Sequence, residues 1–198
     1  MAIIASSMSL VYAGQSNAQK IFQQLSAMPL VRADFEQRKK LSTLNKTYIS
    51  KGTVLFAKNY GVLWQIQTPV KADLIVTAQK LVQKTQRTYS QIEINKTPYG
   101  SVATMFLQLM SGNEVALAKN FNIVSAKYTP VQWRIVLTPK SSLFKKLFDQ
   151  VDIQGQRYVD EVLIQEKAGN TTQIIFSQQT SQPNTLMATE HALFQLAK

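Results

Sequence analysis

The sequence of 198 residues contains no cysteine and a single histidine, His191. Without cysteine there can be no disulfide bond, no thiol catalysis, no cysteine zinc site and no lipid attached to an N-terminal cysteine. One histidine disfavours both a two-histidine metal site and a Ser-His-Asp arrangement, so we interpret His191 as a surface residue. A glycine-rich phosphate loop and a G-x-S-x-G turn are also missing. We therefore predict a protein that is not an enzyme and that uses no metal and no cofactor.

Acidic residues are scarce, with 11 Asp and Glu against 22 Lys and Arg and a formal net charge of +11. Such a charge favours nucleic acid, an anionic membrane surface or an acidic docking protein as partner, or it simply keeps the surface solvated. A nucleic-acid-binding sheet would interleave aromatic and basic side chains on one face. Alternation instead places Tyr48 and Phe56 on the face opposite Lys51. We therefore expect no nucleic-acid partner.

The N-terminal residues 2–13 form an uncharged, moderately apolar run that ends in Val11-Tyr12-Ala13. Valine at −3 and alanine at −1 fit the small-residue rule for signal-peptide cleavage, although no basic segment precedes the run. We expect a signal peptide at 1–13, truncated or engineered at its start, followed by one domain at 14–198. The alternative is a short buried N-terminal segment. No other run approaches the roughly 20 apolar residues of a membrane span.

Alternation with a period of two dominates the rest of the chain and predicts a mainly β fold. A helix from Asn17 to Met28, capped by Ser16 or Asn17 and ended by Pro29, comes first. About ten strands follow in two meanders. The first meander covers 30–38, 48–56, 62–67, 74–77, 80–86 and 91–94, and the second covers 121–127, 131–138, 147–153, 157–166 and 171–177.

A helical insert at 101–111 separates the two meanders, with Ser101 as the expected N-cap and Gly112 as the expected C-terminal stop. One side of this helix is an apolar stripe with helical spacing. The residues on the other side are all uncharged: Ala103, Thr104, Leu107, Gln108 and Ser111. A solvent-facing helix usually shows charges there, so this helix is covered on both sides or covers an apolar surface itself. Ordinary core packing is the alternative. Short helices are also predicted at 113–119 and 188–196.

Four short segments occur in a characteristic order along residues 17–178. They are Phe35-x-Gln37, Ser50-Lys51-Gly52-Thr53-Val54, Trp64-Gln-Ile-Gln-Thr-Pro69 and Leu137-Thr138-Pro139-Lys140. In their order and spacing they resemble the LolA family, the periplasmic carriers of outer-membrane lipoproteins. The resemblance implies an α+β fold, with an unclosed antiparallel half-barrel whose apolar concave side is covered by lid helices.

The resemblance also implies a ligand, partners and a compartment. The ligand is the acyl chains of a lipoprotein or another lipid, handed from an inner-membrane exporter to an outer-membrane acceptor in the periplasm of a Gram-negative bacterium, with the carrier a monomer. The pattern does not decide which strand faces are concave. The residues we assign to the groove are Phe35, Val54, Phe56, Trp64 and Ile66 from the sheet and Met105, Phe106, Leu109 and Met110 from the helix.

Two departures from the family pattern fall together. Lys58 stands where the family has an arginine that resembles a latch, holding the lid through backbone carbonyls, and Asn59 replaces the proline that follows. A lysine is a point charge without the planar fork of arginine, so the latch would differ. This favours a divergent paralogue serving another lipid or exporter. Two other functions stay open: a lipid-sensing regulatory module of the same fold, and a small esterase that depends on His191.

Overall fold

The computed structural model describes residues 16–94 and 98–197, without the side chains of 98–102. The expected signal peptide at 1–13 lies outside the described residues. The helices are α1 (Asn17–Ser26), α2 (Pro98–Met110), α3 (Glu114–Ala118), α4 (Ser142–Leu147) and α5 (Ala188–Gln195). The strands are β1 (Leu30–Leu41), β2 (Lys46–Ala57), β3 (Gly61–Thr68), β4 (Ala72–Val76), β5 (Lys80–Lys84), β6 (Tyr89–Glu93), β7 (Phe121–Tyr128), β8 (Trp133–Pro139), β9 (Phe148–Gly155), β10 (Val159–Glu166) and β11 (Thr171–Thr180). None of the described helices is long and apolar enough to cross a membrane.

All eleven strands form one antiparallel sheet in the order β6-β5-β4-β3-β2-β1-β11-β10-β9-β8-β7. The first strand of the first meander, β1, pairs with the last strand of the second meander, β11, and Phe35 lies opposite Phe176. The two edges, β6 and β7, come from the middle of the chain and flank α2 and α3 in sequence. The sheet is therefore an unclosed half-barrel with helices over its concave face, which confirms the predicted fold class, and each of its eleven strands overlaps one of the predicted ranges.

Local signals explain where α1 and α2 begin and end. Ser16 caps α1 by accepting a hydrogen bond from the Gln19 amide at 3.2 Å, and the Gln19 side chain accepts from the Ser16 amide. The predicted N-cap of the central helix at Ser101 is wrong, because α2 already begins at Pro98, a residue suited to the first helical position. The predicted stop at Gly112 is confirmed by its left-handed φ of +64°.

The sequence pattern does not predict helix α4, and it predicts that strand β9 begins at Leu147, one residue before its observed start at Phe148. Six residues are too few to display a helical period, and Phe144, Leu147 and Phe148 fit either structure. In the fold α4 turns Phe144 back onto Phe121, with ring centroids 4.7 Å apart. The remaining predicted helices and strands lie within a few residues of the observed bounds.

The convex face of β1–β5 carries an apolar row, in which Leu55, Leu63, Ile75 and Val82 lie opposite one another on successive strands. The C-terminal segment 181–197, which we call the arm, covers this row with Phe194 and Ala197. Because the row is buried beneath the arm, the first meander is apolar on both faces.

An ion pair fastens the arm to β1. Arg32 donates to both carboxylate oxygens of Glu190 at 2.7 Å and to the carbonyl oxygens of Pro183 and Thr185 at 2.7 and 3.0 Å. Burial raises the pKa of Glu190, but hydrogen bonds from Arg32 and from the Met187 amide, together with the Arg32 charge, outweigh it and lower the pKa. Glu190 is thus a charged group that the arm can bury only while Arg32 is present.

Candidate functional site

The predicted groove residues of the sheet lie on one face, the concave one. Cross-strand pairing places Ala33, Val54 and Trp64 in one row and Val31, Phe56 and Val62 in the next. Phe35 and Ile66 continue this face around Gly52, which lies opposite both. Register therefore decides what the sequence pattern could not: the even-numbered positions of β2 and β3 point to the inside.

Gly52 explains in physical terms how β2 and β3 approach each other at these rows. The pairing of β2 with β3 shifts between Lys51 and Gly52. A β-carbon at Gly52 would overlap the carbonyl oxygen of Gln65, so β3 can approach only because glycine has none. On the same face the Trp64 ring tilts against Phe35, with the centroids 4.4 Å apart.

Trp64 is the centre of an aromatic cluster on the concave face. Besides Phe35, its ring lies 6.0 Å from Phe106 of α2 and 6.0 Å from Phe176 of β11, both in edge-on geometry. Such arrangements stabilise aromatic pairs beyond the burial of their surface. The Trp64–Phe106 contact joins the lid helix to the sheet, while Trp64 itself stays half-buried.

Helix α2 covers this cluster, and both of its sides are partly buried. Met105 and Leu109 are 1% exposed and face the core. The side predicted to lack charge is half-buried throughout: Ala103, Thr104, Leu107, Gln108 and Ser111. Phe106 and Met110 are also half-buried against the core. The inference that this helix is covered on more than one side is therefore correct, but its cover is incomplete.

Lys58 lies in the turn between β2 and β3 and reaches α1, not α2. Its Nζ donates to the carbonyl oxygen of Ser26 at 3.0 Å, and its backbone amide donates to the carbonyl oxygen of Pro29 at 2.9 Å. The same last turn of α1 touches Gly112, where a β-carbon would overlap the Phe22 carbonyl oxygen and the Ser26 amide nitrogen. Lys58 is thus connected to the end of α2 through α1.

All nine predicted groove residues fall in one apolar cluster. Phe35, Val54, Phe56, Met105 and Leu109 are buried in it, and Trp64, Ile66, Phe106 and Met110 are partly buried against it. Sequence reasoning missed three neighbours: Phe176, Leu81 and Leu107. Phe176 is brought in only by the pairing of β1 with β11, which no local pattern reveals.

The chemistry of this site is almost entirely apolar. Gln108 Oε1 of α2 is buried and has no hydrogen-bond partner in the described part of the chain. No group of three or more His, Asp or Glu side chains that could hold a metal occurs among the described residues. His191 is exposed on α5, with its ring 6.2 Å from Tyr60, on the opposite side of the sheet.

Comparison with solved structures finds distant likenesses. A LolA superfamily protein from Nitrosomonas europaea is 9% identical, with a TM-score of 0.49 over 84% of this chain and 94% of that one. A putative outer membrane lipoprotein-sorting protein domain from Vibrio parahaemolyticus is 12% identical, with a TM-score of 0.45 over 91% and 98%. The MucA/MucB complex structure from Pseudomonas aeruginosa is 9% identical, with a TM-score of 0.44 over 88% of this chain and 62% of that one.

No curated protein matches the chain significantly. A family model does match: the one described as outer membrane lipoprotein carrier protein LolA aligns with residues 27–195. The matched range includes the whole concave face, the lid helix α2 and most of the arm. With Lys58 where the resemblance expects arginine, the chain is a divergent member, and it belongs to the LolA family.

Proposed function

We propose that this chain is a non-catalytic periplasmic carrier that binds acyl chains of a lipoprotein or another lipid and moves them toward the outer membrane. The chains would lie on the concave face of β1–β5 beneath α2. Membership of a family of lipoprotein carriers supports this role. The observation that carries it is the half-burial of Trp64, Ile66, Phe106 and Met110 at the interface between lid and sheet.

Burial alone can supply the affinity of such a site. An acyl chain gains about 0.8 kcal/mol for each CH₂ group that it removes from water. Few directional groups line the concave face, so chains of different length and headgroup fit it equally well. Met105 and Met110 add side chains that adapt to irregular apolar shapes. An inner-membrane exporter as donor and an outer-membrane acceptor complete the proposal, with the carrier acting as a monomer.

Native mass spectrometry of protein purified gently from its host tests the proposal. We expect lipid adducts on the wild type and binding of a hydrophobic dye that added fatty acid displaces. Ile66→Glu places a carboxylate in the apolar site and should abolish both signals, because an unpaired buried charge is costly. Val131→Glu, at a side chain 72% exposed in the β7–β8 turn, is the matched control and should retain them. Absence of adducts and of dye binding in the wild type would contradict the proposal.

The proposal includes export. Residues 1–13 would be removed as a signal peptide, leaving 14–198 as the working domain. The mature N-terminus of protein recovered from the host periplasm checks this, and we expect it at Gly14. Recovery of the unprocessed chain from the cytoplasm would contradict it.

A further inference from the structure

The far end of the β1–β2 hairpin, residues 38–51, projects beyond the end of β3, and we call it the hairpin end. β1 and β2 remain paired as far as Leu41 opposite Lys46. β3 joins β2 only from Thr68 opposite Lys51, so residues 46–50 have no β3 partner in the described part of the chain. At about 3.3 Å per residue, these five positions overhang β3 by roughly 16 Å.

The overhang is held in place on its other side. β1 stays paired with β11 up to Lys40 opposite Thr171. At the tip, the Ser42 amide donates to Asn170 Oδ1 at 3.0 Å and the Ser42 hydroxyl donates to the Ala168 carbonyl oxygen at 2.5 Å. The hairpin end is therefore already ordered, and a partner would not have to pay for ordering it.

The hairpin end is strongly basic. Residues 37–51 contain five Lys and Arg and no Asp or Glu. Arg38 and Lys51 share Glu36, at 2.5 and 2.7 Å, and Lys39 pairs with Glu166 at 3.0 Å. Lys40 and Lys46 have no ion pair within the described residues. Two cations are thus left for an external anion.

Exposed apolar side chains accompany these cations. Leu44 at the tip is 61% exposed, Tyr48 47% and Ile49 48%. The cation beside an aromatic ring here is Lys46, not Lys51: Lys46 Nζ lies over the Tyr48 ring, 5.6 Å from its centroid. Ile49 is on the other face of the hairpin, opposite Arg38. Apolar and basic groups therefore occur together on both faces and at the tip.

We propose that the hairpin end docks on an anionic phospholipid surface. Leu44 enters the interface between headgroups and acyl chains, the Tyr48 ring lies at headgroup level, and Lys40 and Lys46 meet the phosphates. Long lysine stems and tyrosine rings suit such a boundary, with one end apolar and the other polar. An acidic protein would contact one face, whereas a bilayer surrounds a projecting tip and uses both. The proposal does not depend on what the concave face binds.

Flotation with lipid vesicles tests this proposal on the full chain. Vesicles contain phosphatidylcholine with about one quarter phosphatidylglycerol, or phosphatidylcholine alone. We expect binding to the anionic vesicles only, weakened by salt. Each basic residue near such a surface contributes about fivefold in affinity, so Lys40→Ser with Lys46→Ser should lower binding about 25-fold. The control pair Lys119→Ser and Lys140→Ser removes the same charge from exposed sites elsewhere and should cost much less.

Insertion of the tip has its own readout because the chain lacks cysteine. Leu44→Cys, labelled with an environment-sensitive dye, should shift to shorter emission wavelengths on anionic vesicles. Val131→Cys, labelled in the same way, should not shift. Equal loss of affinity in both lysine pairs, equal binding to neutral vesicles, or no shift at position 44 would each overturn the proposal. Binding to an acidic protein with no vesicle binding would overturn it as well.

Discussion

The two halves of the concave face differ in how completely their apolar side chains are covered. In the second meander Ile135, Leu137, Val151 and Ile153 are all 0% exposed. In the first meander Val54 and Val62 are 6% and 5% exposed. Trp64, Ile66 and Leu81 are only half-buried beneath α2. One half is packed as a permanent core. In the first half, the surface between the sheet and α2 is only partly buried, so further apolar atoms could pack against it.

The convex faces differ as well. β8 alternates strictly, with Trp133, Ile135 and Leu137 inside and Arg134 outside, paired with Asp152. β2 instead presents Val54-Leu55-Phe56-Ala57 as a continuous apolar run, all buried. The second half therefore has one face to cover, and the first half has two: the arm covers the outer one and α2 the inner one. Under the proposed function, stability and ligand binding thus belong to different parts of one sheet.

The largest expected effect separates the two halves directly. Ile135→Ala should lower the free energy of unfolding by about 3–4 kcal/mol, because it leaves a cavity in a fully packed core. Ile66→Ala should cost only about 1 kcal/mol, since a half-buried side chain leaves no closed cavity, and it should weaken lipid binding instead. Urea unfolding with and without bound lipid measures both. Equal losses of stability would show that the two halves are packed alike.

The next effect concerns the arm on the first half. Arg32→Ala leaves the Glu190 carboxylate, 10% exposed, without its partner and should cost about 2–4 kcal/mol. Arg134→Ala breaks the corresponding pair on the second half, but Arg134 is 56% exposed and the pair is screened by water, so little change in stability is expected. Hydrogen exchange should show lost protection in α5 for the first variant alone. Unchanged exchange in α5 would mean that Arg32 does not hold the arm.

Acid should release the same arm with a smaller effect. The folded-state pKa of Glu190 is lowered, so its contribution to stability is present above the unfolded value of about 4.3 and disappears as the pH falls through the lower folded value. Protection of α5 amides should therefore fall below about pH 4. In Glu190→Gln this step should be absent. A loss of protection at neutral pH, as the pH rises, would contradict the assignment.

Lys58→Ala should lower the free energy of unfolding by only about 0.5–1 kcal/mol, because one exposed hydrogen bond to Ser26 is lost. Its effect should appear in the lid, since α1 links Lys58 to the end of α2. We expect faster hydrogen exchange in α1 and α2 and faster release of bound lipid, both restored by Lys58→Arg. Release rates that do not change would remove Lys58 from the lid mechanism.

Local pattern predicted all eleven strands, the helices α1, α3 and α5 and the Gly112 stop, because each depends on neighbouring residues. It predicted the membership of the apolar cluster but not its concave side, since β2 is apolar on both faces and only register distinguishes them. It missed the Arg32–Glu190 pair, whose partners are 158 positions apart. The order of the strands in the sheet and the hydrogen-bond partner of Lys58 Nζ are likewise set by contacts between residues far apart in sequence.

The chain has two tryptophans, and each half of the concave face holds one: Trp64 is half-buried beside α2, and Trp133 is 2% exposed. Quenching by a brominated acyl chain in the single-tryptophan variants Trp133→Phe and Trp64→Phe tests most directly where lipid binds. Bromine quenches only on close approach, so we expect saturable quenching of Trp64 and none of Trp133. Quenching of Trp133 to the same extent, or of neither residue, would contradict a lipid site confined to the first half.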